Sequence, residues 1–256
     1  MQAVRSLPLL RHLELGDMGL NPLLALERYS HPSLAIFRSD TTISLSPEAF
    51  IHLLPHQLPA LATLDLAVDL CRTTRDLSSA LDVLSQQLPQ LATLTLRGTA
   101  SSKHATSMGR PLKDLSRLHR LRHLCIDSSP LVACLAPGLS TLPALTKLDV
   151  PRGWDAASGP ALALMSRLRS LRVGPGQEAD VWVHVLEGAR KLQGLTELVL
   201  DAGRWGPAGL DKKEVYKILV PVPARLARLG VHTEPELRAA TRVLGAFVDE
   251  ICLLSE

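Results

Sequence analysis

Two stretches, Leu58-Pro59-Ala60-Leu61-Ala62-Thr63-Leu64-Asp65-Leu66 and Leu88-Pro89-Gln90-Leu91-Ala92-Thr93-Leu94-Thr95-Leu96, are nearly the same nine-residue phrase. Apolar residues fall at its first, fourth, seventh and ninth places. On a helix those places scatter around the axis instead of forming one stripe. In an extended chain the seventh and ninth places share a face, because side chains alternate. Proline in the second place also resists a helix interior. Each phrase therefore ends in a short strand.

The phrase recurs along most of the chain. Copies run from Leu7 to Leu15, Leu118 to Ile126, Leu142 to Val150, Met165 to Val173 and Leu192 to Leu200, with a weaker one from Pro223 to Val231. The seventh-place residues are numbers 13, 64, 94, 124, 148, 171, 198 and 229, so most steps are 23 to 31 residues. The longer gap after Leu13 has room for a degenerate copy, expected at Thr42-Ile43-Ser44-Leu45. Between phrases the spacing turns helical: Leu77, Leu81 and Leu84 follow Asp76 as an N-cap, and Ser46-Pro47-Glu48 reads as a helix start. Asp180 and Asp211 are placed to cap helices over 181–190 and 212–219. One such unit cannot cover both faces of its own leucine layer, so the units are expected to stack into one quasi-linear domain.

In its leucine positions the repeated phrase resembles the leucine-rich repeat family, whose motif LxxLxLxxN matches Leu61 to Asp69 and Leu91 to Thr99. The resemblance runs from Leu7 to about Val231. It implies an α/β fold, a curved leucine-rich repeat solenoid with a parallel sheet on the concave side and helices and irregular turns on the convex side. Unit length and helical spacers look closer to F-box-associated and ribonuclease-inhibitor-like repeats than to the short extracellular kind. The sequence departs from the motif at the Asn place, occupied by Met18, Asp69, Thr99, Ser129, Gly153, Gly176, Gly203 and Glu234. Gly and Met lack the side-chain acceptor that would bond the turn backbone, so looser turns are expected at the glycines. At the far end Thr233-Glu234-Pro235-Glu236 has capping-box form, followed by Leu237, Ala240, Leu244, Val248 and Ile251 at helical spacing. The expected division is a solenoid over 1–232 and a C-terminal capping helix over 233–256. At the other end Met1 to Arg5 leaves almost nothing ahead of the first phrase, so the first rung is expected to need a partner or upstream chain as cover.

Composition narrows the function. The 256 residues include 53 leucines but only three Trp, two Tyr and three Phe, so leucine does most of the packing. A 46% hydrophobic and 21% charged chain is not a disordered one, and a net charge of +3 argues against a polybasic nucleic-acid binder. No uncharged apolar run reaches the 18 or so residues of a membrane span. Cys71, Cys125, Cys134 and Cys252 form no CxxC pair, which suits a reduced, intracellular chain in cytoplasm or nucleus. The expected partner is a protein, with neither nucleic acid nor membrane.

Chemistry-bearing patterns are weak. Gly174-Pro175-Gly176 and Gly203 to Gly209 lack the Walker lysine and the dinucleotide fingerprint, and read as turns. His119 and His123 are four apart, but His123 falls on a strand, and His184 with Glu187 reads as an exposed helix pair. No GxSxG or HExxH occurs, so the sequence offers no catalytic, metal or cofactor residues and the expectation is a non-enzyme. What remains is the polar side of the strands: His12, Glu14, Thr63, Asp65, Thr93, Thr95, Arg97, His123, Cys125, Asp127, Lys147, Asp149, Ser170, Arg172, Glu197, Asp201, Arg228 and His232. Of these, Thr63, Asp65, Thr93, Thr95, Arg97, His123, Cys125, Asp127, Lys147, Asp149, Arg172 and Glu197 are the candidate partner-binding residues on the concave face. Trp154 and Trp205, just past strands, are candidate rim anchors, while Trp182 reads as packing. The leading function is a non-catalytic protein-interaction module, narrowed by the resemblance to the substrate-recognition part of a ubiquitin-ligase adaptor. The alternative is a structural or regulatory array acting through self-association or its helical side.

Overall fold

The computed structural model describes residues 9–16, 31–43, 58–69, 77–99, 115–152, 154, 159–174, 185, 187–200, 226–231 and 248–253. The strands are β1 (His12–Leu15), β2 (Ile36–Ile43), β3 (Thr63–Asp69), β4 (Thr93–Thr99), β5 (His123–Asp127), β6 (Lys147–Arg152), β7 (Ser170–Val173), β8 (Glu197–Leu200), β9 (Leu226–Val231) and β10 (Val248–Leu253). Helices α1 (Leu77–Gln87), α2 (Ser129–Leu139) and α3 (Gly159–Leu162) lie between β3 and β4, β5 and β6, and β6 and β7. The ten strands form one sheet in chain order, each parallel to the next. Parallel neighbours require a crossover, and among the described residues α1, α2 and α3 lie on three of these connections.

The phrase explains the ladder place by place. Its first four residues form a turn in which the fourth N–H donates to the first carbonyl: Leu61 to Leu58, Leu91 to Leu88, Leu121 to Leu118, Leu168 to Met165 and Leu195 to Leu192. Pro59 and Pro89 take the second place of such turns, where a fixed φ is an advantage and no N–H is needed. The fifth-place carbonyl then accepts two N–H groups from the next repeat. Ala62 O accepts from Ala92 and Thr93, Ala92 O from Arg122 and His123, Arg122 O from Thr146 and Lys147, and Thr146 O from Arg169 and Ser170. Each of these repeats is thereby hung on its predecessor at the strand entrance.

Apolar places build one continuous core. Leu64, Leu94, Leu124, Leu148, Leu171 and Leu198 stand in the seventh place, in register and buried, with Leu66, Leu96, Ile126, Val150 and Val173 two residues on. Ala80 and Leu84 of α1 and Leu131, Leu135 and Leu139 of α2 close this layer from the helical side. Gly174 ends β7 against β6, its N–H donating to Val150 O at 2.7 Å. A Cβ there would stand 1.6 Å from Pro151 O, so only glycine fits.

Two expectations are corrected. The degenerate copy after Leu13 is His31-Pro32-Ser33-Leu34-Ala35-Ile36-Phe37-Arg38-Ser39, six residues before the expected Thr42 to Leu45, because Phe37 is in register with both Leu13 and Leu64. His31 and Ser39, both buried, replace leucine in the first and ninth places. Their polarity has a local cause for Ser39: β2 carries an irregularity between Ser39 and Thr42, and Ser39 Oγ accepts from the Thr41 N–H at 3.2 Å. Thr41 Oγ1 in turn donates to Gly16 O, tying the bulge to the end of β1.

The second correction concerns the capping helix over 233–256. Residues 232–247 lie outside those described, but Val248–Leu253 is a strand paired with β9, Val248 opposite Leu226, Ile251 opposite Leu229 and Leu253 opposite Val231. Val248 and Ile251 are three apart, which suits a helix stripe and the phrase equally. Leu253, two residues further, suits only the phrase. Of the expected helices, α1 matches its leucine spacing, and residues 187–190 are helical within the expected 181–190. Those starting at Ser46 and Asp211 lie outside the described residues, as do the turns at Gly153, Gly176 and Gly203.

Candidate functional site

The open face of the sheet carries the sixth and eighth places of each phrase, in two rows. One row runs Thr63, Thr93, His123, Lys147, Ser170 and Glu197. The other runs Glu14, Arg38, Asp65, Thr95, Cys125, Asp149, Arg172 and Val199. Alternation alone puts them there, since the seventh and ninth places point into the core. Arg97 is opposite Asp127 one step beyond the second row.

Three side-chain braces cross this face. Arg97 spreads its guanidinium over three acceptors: Nε donates to Asp65 Oδ1 at 2.8 Å, Nη1 to Asp40 Oδ1 at 2.6 Å and Nη2 to Ser39 O at 3.0 Å. Partial burial pulls its pKa down, but the two carboxylates outweigh this and raise it. Next, His123 Nε2 lies 2.8 Å from Asp149 Oδ2, and Lys147 Nζ 3.4 Å from the same oxygen. Burial pushes the Asp149 carboxyl up, yet the His123 hydrogen bond and the Lys147 charge prevail and hold it below its ordinary value. Finally, Ser170 Oγ donates to Glu197 Oε2 at 2.6 Å.

Cys125 sits among these groups, facing Thr95 and Asp149 in register. Burial, then the charges of Asp149, Asp127 and Asp65, push its thiol up to about 12. At neutral pH it is a thiol and a poor nucleophile. His123 and Asp149 stand beside it, and burial with the neighbouring carboxylates opposes a thiolate there.

The structure thus brings Asp65, Arg97, His123, Cys125, Lys147, Asp149, Arg172 and Glu197 onto one face. Thr63, Thr93 and Thr95 are half-buried in the centre of the same rows, and Asp127 is half-buried at the end of β5. Trp154 is a correction: it is 2% exposed and, among the described residues, the largest fully buried side chain, not a rim anchor. The indole belongs to the same continuous core as Leu162 of α3. Trp205, Asp201 and His232 lie outside the described residues. Arg38 and Asp40 were not anticipated. Admitting His31 and Ser39 as leucine substitutes would have revealed both.

Parallel strands in unbroken order, helices on one side and a polar open face on the other define the architecture. The fold is a leucine-rich repeat solenoid. No protein-family profile and no curated protein sequence matches the chain. Among solved structures, a crystal structure of a TLR13–ssRNA13 complex aligns with 87% of this chain and 31% of that one, at 18% identity and a TM-score of 0.43. The chain therefore spans about a third of that protein's length, and the reading of its function rests on its own geometry. Among the described residues no helix is long and apolar enough to cross a membrane, and no group of three His, Cys, Asp or Glu is placed to hold a metal. The whole-chain charge balance does not exclude an anionic ligand, because it is a sum that says nothing of where the charges gather.

Proposed function

We propose that the chain is a non-catalytic interaction module that recognises a protein partner on the open face of its sheet. The observation that carries this reading is the bracing of that face: Arg97 to Asp65 and Asp40, His123 and Lys147 to Asp149, Ser170 to Glu197. Side chains already held lose little rotamer entropy when a partner docks, and their mixed charges select it. The narrower reading, a substrate-recognition part of a ubiquitin-ligase adaptor, rests on the resemblance to long F-box-associated repeats. An intracellular, reducing location fits the Cys125 thiol, which is in no disulfide.

The test is affinity capture by the full chain from lysate, in parallel with Arg172→Glu and Thr95→Arg variants. Loss of the same protein from both variants supports the open face, and retention by both refutes it. Co-capture of a ligase scaffold distinguishes the adaptor role.

A second reading, self-association through the first rung, is favoured by one observation. Leu13 and Leu15 are only half-buried, whereas Leu64 and Leu66 are fully buried, and Leu9 is 83% exposed. Light scattering that finds a dimer dispersed by Leu9→Lys would favour it.

A further inference from the structure

The strand entrances form a surface distinct from the open face. Their fifth-place residues stack through the carbonyl ladder, Arg122 to Thr146 to Arg169, and the second or third places lie just outside. In the later repeats this edge is cationic. Arg120, Arg122, Arg167, Arg169, Arg190 and Lys191 are all exposed, and Arg117 is paired with Asp82 at 3.0 Å. Arg11 holds the fifth place of the first repeat, Ala35, Ala62 and Ala92 that of the next three, and the arginines gather from Arg120 onward.

Within this edge, between the turns that open β6 and β7, lies a groove of about 270 Å³. Leu139, Leu142, Leu145 and Met165 contribute apolar lining, Thr141 and Ser166 hydroxyls, and Arg167 crosses it to donate to the Pro143 carbonyl. Leu164, at its margin, is 67% exposed.

We propose that this groove and its flanking arginines bind an acidic, amphipathic peptide segment of another protein. Arg122 and Arg169 are two ladder steps apart, about 10 Å at the spacing of neighbouring strands. An extended peptide advances about 3.3–3.6 Å per residue, so acids three residues apart meet both arginines while an apolar residue between them enters the groove beside Leu164. The exposed Leu164 at the groove margin favours a peptide with an apolar side chain over a nucleic-acid backbone, which has none to place there.

The test is fluorescence anisotropy of the full chain with a fluorescein-labelled decapeptide in which aspartate pairs alternate with leucine. Its asparagine-for-aspartate counterpart and a ten-nucleotide oligouridylate serve as comparisons. The acidic peptide is expected to bind, with affinity falling about tenfold or more in the Arg122→Glu/Arg169→Glu double variant. Leu164→Ser is expected to weaken it, and Arg172→Glu, on the open face, to leave it unchanged. Equal binding of the asparagine peptide, indifference to the double variant, or loss in Arg172→Glu overturns the proposal. Tighter binding of oligouridylate through the same arginines overturns it in favour of nucleic acid. None of these outcomes depends on partner capture by the open face.

Discussion

Arg97 on β4 reaches across β3 to bond Asp40, which sits in the bulge of β2, with Nη1 2.6 Å from Oδ1. A single guanidinium thus fixes the irregular strand to two regular ones. Removing it in Arg97→Ala is expected to lower stability by about 1–2 kcal/mol, the lower part of the charge-assisted range because Arg97 and Asp40 are partly exposed. Arg97→Lys should restore little of this, since an ammonium cannot reproduce the planar fork. Urea unfolding midpoints measure both.

Gly174 is fixed by the approach of Pro151. Gly174→Ala forces a Cβ into backbone and is expected to cost about 1–3 kcal/mol or more. Gly194→Ala, where the nearest contact would be an ordinary 3.5 Å, should be nearly neutral in the same unfolding assay.

His31 takes a leucine place in the core, and burial lowers its pKa below the ordinary value. The unfolded chain therefore binds the proton more tightly than the folded one. Stability is expected to be full above about pH 6.5 and to fall as pH drops from there through the lowered folded value. His31→Leu, which restores the phrase, should flatten this part of the stability–pH curve.

Cys125 lies on the open face but is held as a thiol, pushed up to about 12. Labelling by a maleimide at neutral pH is expected to be much slower than for a small free thiol, and to accelerate in the Asp149→Asn variant as one of the opposing charges is removed. Peptide mapping of the alkylated cysteine follows it.

Much of this was legible in the sequence because leucine spacing reports directly on alternation. A pattern that repeats its seventh and ninth places also repeats its register, which is why the rows containing Asp65, His123 and Asp149 were read correctly. The failures arise where a place is filled by the wrong residue type or where two periods coincide. His31 and Ser39 hid the second rung because hydropathy alone does not reveal that a bulge needs an internal acceptor. Val248 and Ile251 fit a helix as well as a strand. Trp154 was read as exposed because a place just past a strand does not show whether its side chain turns into the core. The braces themselves were invisible, since Arg97 and Asp40 are 57 residues apart and meet only through the bulge.

The parallel register itself is tested most directly by paired cysteines. Thr63 lies opposite Thr93, with Arg97 on the same face four residues further along β4. In a Cys125→Ser background, oxidation or a short dithiol linker should join Thr63→Cys to Thr93→Cys and fail to join Thr63→Cys to Arg97→Cys, as peptide mapping would show. The reverse pattern, expected of an antiparallel hairpin, would contradict the solenoid and the binding face built on it.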